Sequence, residues 1–91
     1  MTNDLNVTEA KIRAGLDRLL LSHSVSKSPE AKLLIAVITQ AISDCKNNAI
    51  GLAAQKDAKD FIRGPRLDSI SDLLGIEGEY IRQLCKRGGY I

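Results

Sequence analysis

The sequence predicts an all-α fold, a small bundle of four to five helices ending in a helix-turn-helix. Apolar residues recur every three or four positions through five stretches, and no stretch alternates with period two. Strong helix stops part those stretches: the serine-rich run Ser22–Ser28, Asn47-Asn48, Gly64-Pro65 and Gly75. At 91 residues the chain has room for a single domain with one core. One Phe, two Tyr and no Trp leave that core to Leu, Ile, Ala and Val, and leave little for stacking single-stranded nucleic acid.

The first helix is expected over 7–21. Thr8 can cap it, Glu9 suits the positive end of its dipole, and Ile12, Leu16, Leu19 and Leu20 make one stripe. Met1–Asn6 is expected to fray. The second helix, 29–47, has the clearest start: Ser28 as N-cap, Pro29 at the first position and Glu30 in the first turn. Its stripe is Ala31, Leu34, Ile35, Ile38, Ile42 and Cys45. Leu33, Ala36 and Val37 lie off that stripe, with Gln40 beside them. A helix apolar on two sides is central to its fold or buries one side against another molecule. The third helix, 52–63, turns Ala54, Ala58, Phe61 and Ile62 inward, and Gly64 reads as a C′ glycine before Pro65. The last two helices, 66–74 and 77–87, are joined through Gly75.

A net charge of +2, with acids and bases interleaved, gives no polyanion-binding footprint by composition. Cys45 and Cys85 both fall on apolar stripes without metal-ligand spacing, so they read as buried, reduced, unligated thiols. No metal or cofactor is expected. His23 stands alone in the serine-rich break and reads as a solvated turn residue. Neither cysteine has a visible base, the acids Asp57 and Asp60 pair with neighbouring bases on a solvated helix face, and no phosphate-binding glycine loop occurs. The chain therefore reads as a non-enzyme. Without a leader or a long apolar run it reads as cytoplasmic, with no membrane contact.

The stretch from Leu67 to Gly88, LDSISDLLGIEGEYIRQLCKRG, carries the functional signal. Ser71 supplies the small residue at the helix crossing, Gly75 the turn, and Ile76 and Ile81 brace the second helix. This pattern resembles the helix-turn-helix of bacterial and phage regulators, including those ending in a basic Cys-Lys-Arg-Gly-like segment. Phe61-Ile62, Asp72-Leu73-Leu74-Gly75-Ile76 and Glu79-Tyr80-Ile81-Arg82 also resemble a group of small phage and prophage proteins. That second resemblance implies a mobile-element origin rather than an activity.

Two functions compete. In the first, the motif binds double-stranded DNA in phage gene regulation or genome handling. Tyr80, Arg82 and Gln83 then face bases, Lys86 and Arg87 face phosphate, and Arg63 and Arg66 flank them. Glu77 and Glu79, in the turn that usually leads into the groove, oppose it. In the second, the chain is a non-catalytic adaptor or inhibitor that docks on a host or phage protein. Leu33, Ala36, Val37 and Gln40 are the candidate surface for a partner or for self-association, and a homo-oligomer is expected.

Overall fold

The computed structural model describes the backbone of residues 3–91 and the side chains from Arg13 onward. It is all-helical: α1 (Asn3–His23), α2 (Pro29–Asp44), a 3₁₀ turn (Asn48–Ile50), α3 (Leu52–Arg63), α4 (Pro65–Leu74) and α5 (Gly78–Arg87). Met1 and Thr2 lie outside the described residues. The first helix begins at Asn3, so Thr8 falls inside it instead of capping it. No proline or glycine between 3 and 8 interrupts a helix there.

Ser28 caps α2, its Oγ accepting from the Ala31 N–H at 3.1 Å. This helix stops at Asp44, three residues before the expected Asn47, because Asn47 caps the 3₁₀ turn instead, its Oδ1 accepting from Ala49 N–H. Gln55, buried in the first turn of α3, donates to the Asn47 carbonyl at 2.8 Å and ties the two helices together. Gly64 does not take the left-handed conformation expected of a C′ glycine. It is extended (φ −95°, ψ 177°), as a residue before proline prefers, and a Cβ there would stand 2.8 Å from the Asp60 carbonyl oxygen.

The core runs through all five helices: Leu20 from α1, Ile35, Ile38 and Ile42 from α2, Ile62 from α3, Leu67 and Leu74 from α4, and Ile81 and Cys85 from α5. α1 and α3 flank α2, which is therefore the central helix. Ser71 is fully buried where a larger residue would part the helices, and its hydroxyl donates to the Asp68 carbonyl.

Gly75 ends α4 in the left-handed region, at φ 70°. Its N–H reaches Asp72 O, and Ile76 N–H reaches Ser71 O, so the carbonyls of the last turn are satisfied locally. The Leu74 carbonyl is satisfied from the opposite end of the chain. Val25 N–H donates to it at 2.9 Å and Ser24 Oγ at 3.3 Å. The serine-rich segment is thus a strap across the α4–α5 turn, which nothing in its composition announces. Gly75→Ala is expected to cost about 1–3 kcal/mol, from the left-handed φ and from a Cβ placed 2.8 Å from Val25 Cγ2. Val25→Ala should recover only the contact part of that loss in thermal denaturation.

Candidate interaction site

Arg82 was the expected base reader, and the structure turns it inward. Its Nη1 and Nη2 grip Asp68 Oδ1 and Oδ2 at 3.0 and 2.8 Å, while Nε donates to Ile62 O and Nη2 to Gly64 O, each at 3.0 Å. Those two carbonyls belong to the end of α3, where the negative pole of the helix and unpaired acceptors favour a cation. Only 16% of the side chain is exposed. Arg82 thus holds α5 to the corner between α3 and α4: four of its five N–H donors are taken, and Nη1 also pairs with Glu79 Oε2 at 3.7 Å. Asp68 in turn is held below its usual pKa by its hydrogen bonds to Arg82.

Tyr80 is also withdrawn from the outer face. It is half-buried, its ring stands 4.8 Å from the His23 ring, and its hydroxyl lies 3.1 Å from His23 Nε2. His23 is therefore a contact between α1 and α5, where a solvated turn residue was expected. The exposed face of α5 keeps Gln83, which donates to Glu79 Oε1 at 3.1 Å, with Lys86 and Arg87 beyond it. Glu77 and Glu79 at the start of the helix offset those two bases. Arg63 and Arg66 are exposed at the α3–α4 corner to which Arg82 holds α5. The seven expected nucleic-acid residues thus divide into two that are structural and five that remain on the surface.

The second apolar side of α2 is open. Leu33 is 68% and Val37 50% exposed. With Ala36 and Gln40 they form one bank of a groove of about 650 Å³ whose other bank is Ala54, Ala58 and Phe61 of α3. Ala54 and Phe61 were expected to face inward; both are only partly buried and open into this groove. Arg13, Asp44, Asp57 and Arg66 stand around it. Asp44 accepts from Gln40 Nε2 at 2.8 Å. Among the described residues, Arg13, Asp57 and Arg66 make no ion pair within the chain. Asp57 therefore departs from the expected pairing, whereas Asp60 meets Lys56 at 3.2 Å.

Cys45 and Cys85 are both buried. Burial pushes both thiols up, Cys85 to about 11, and the nearby Cys45 adds to that shift. A thiol with that pKa carries about 100-fold less thiolate at neutral pH than an ordinary one, so alkylation of Cys85 should proceed only through unfolding. Because the unfolded thiol ionises first, stability should fall as pH rises from 9 toward 11. Urea titrations across that range check the sign.

Comparison with known proteins gives no match, whether to a family model, a curated protein or a solved structure. Among the described residues, no helix is long and apolar enough to cross a membrane.

Proposed function

We propose that this chain is a non-catalytic helical binding module that engages protein through the groove between α2 and α3. The observation that carries this reading is the exposure of Leu33 and Val37 beside Phe61. Contiguous apolar surface of this kind, ringed by charges, marks a contact site more often than a solvated face. The same residues that close the core of the bundle leave α5 without its base-reading arginine, which weakens the competing reading. DNA binding retains one observation of its own, the exposed Gln83, Lys86 and Arg87 at the far end of α5.

Photoreactive residues placed at 37 and at 83 separate the two. Protein binding expects adducts to protein from position 37, none to DNA from position 83, and no retardation of random duplex at moderate salt. DNA adducts from 83, with none to protein from 37, would overturn it.

A further inference from the structure

The chain leaves α5 through a turn that folds it back on the helix. Gly89 takes the left-handed conformation at φ 73°, its N–H donates to the Lys86 carbonyl at 3.1 Å, and the Tyr90 N–H donates to the Cys85 carbonyl at 2.8 Å. This is a Schellman ending, in which a residue placed like Tyr90 packs on one placed like Cys85. Tyr90 and Ile91 are half-buried against the core cluster that contains Cys85, and Cys85 itself is 1% exposed. The fastening comes from the other side of the bundle. Lys46, just past the end of α2, donates from Nζ to the Gly88 carbonyl at 2.6 Å. The same ammonium stands 4.4 Å from the centre of the Tyr90 ring, where the ring face attracts a cation.

Two features let residues 88–91 move apart from the rest. Adjacent glycines at 88 and 89 give the backbone a wide choice of conformations. Lys46 is exposed, so water competes for its ammonium and the fastening is weak. We infer that residues 88–91 are a latch, fastened by Lys46, that opens as a unit while the five helices stay folded and uncovers Cys85 as it does so. Closed, the latch keeps the thiol out of water. Open, it leaves an ordinary thiol within reach of small reagents. The unfolding that Cys85 needs before it reacts is then confined to the latch.

Alkylation of the folded full chain by iodoacetamide, with Cys85 located by peptide mapping, tests this. In the wild type the slow rate at Cys85 should stay flat through low urea, because opening a short segment exposes little surface, and rise only near the global transition. Lys46→Met keeps the length of the side chain and removes the ammonium. It should speed alkylation of Cys85 by about three- to tenfold, since the rate follows the open population. Gly88→Ala should speed it by at least about tenfold. Gly88 has an ordinary backbone (φ −78°, ψ −5°), but a Cβ there would stand 2.5 Å from Tyr90 Cε2 and 2.7 Å from Cδ2, so the ring must leave its place. Both variants should keep the flat dependence on low urea and the circular dichroism of the wild type. A wild-type rate that climbs with urea in parallel with global unfolding overturns the inference. So do rates unchanged in both variants, or rapid alkylation of Cys85 in the wild type. Should Gly88→Ala fail to fold, Lys46→Met, at an exposed position outside the helices, decides the question alone.

Discussion

Arg82→Ala should lower the stability of the bundle by about 2–3 kcal/mol, because it removes charged hydrogen bonds to three acceptor groups at once. For a domain of this size that corresponds to a melting temperature lower by about 10–20 °C. The loss arises in two places. The carbonyls of Ile62 and Gly64 at the end of α3 lose their donor, and Asp68 loses its paired cation. Arg82→Lys should recover less than half, since an ammonium cannot span a carboxylate and two carbonyls with a planar fork. Any loss of binding in Arg82→Ala then follows the loss of fold. Equal stability of Arg82→Ala and wild type in urea denaturation would refute the clamp.

The same pair sets an acid limit. Asp68 has its pKa lowered in the folded chain, so its contribution is complete above the ordinary 3.8. That contribution is lost as pH falls below 3.8 and through the lower folded value. The slope of stability against pH in this window should flatten in Asp68→Asn, which cannot ionise.

Local signals in the sequence were sufficient for the helices and insufficient for the clamp. Ser28-Pro29 starts α2 and Gly64-Pro65 separates α3 from α4, because capping and the missing proline N–H act within a few residues. Asp68 and Arg82 are fourteen residues apart on different helices, and no spacing rule links them. A basic residue on the second helix of such a pair looks alike whether it points out or in. One hint was present. Arg82 follows Ile81 and lies three residues before Cys85, at the edge of the buried stripe, where a long side chain can reach across to the neighbouring helix end. The groove was half legible. Leu33 and Val37 stood out as an apolar surplus, but Ala54 and Phe61 read as ordinary inward positions, because periodicity separates an apolar side from a polar one and says nothing of whether a neighbour covers it. The strap of Ser24 and Val25 over Gly75 had no sequence signal, since its bonds, from Val25 N–H and Ser24 Oγ, end on a backbone carbonyl about fifty residues away.

Gly78→Ala should destabilise the fold by about 1–3 kcal/mol, although the same change on an exposed helix stabilises by roughly 0.5–1 kcal/mol. Gly78 opens α5 with an ordinary negative φ, so alanine meets no backbone penalty there. The obstacle is the clamp. A Cβ at 78 would overlap Asp68 Oδ1 and lie 3.3 Å from Asp68 Cγ and 3.4 Å from Arg82 Nη1. A free aspartate would swing aside. Asp68 is held by both guanidinium nitrogens, so making room for the methyl group opens the pair and withdraws Arg82 from the end of α3. Asp68→Ala removes that obstacle in advance. In its background Gly78→Ala should become neutral or stabilising, because only the lower backbone entropy of the unfolded chain remains. The sign of the alanine effect therefore depends on a residue ten positions away. Urea denaturation of the wild type, both single variants and the double variant measures that coupling directly. Additive losses would mean that the methyl group is accommodated elsewhere and that Gly78 does not form the floor of the Asp68–Arg82 pair.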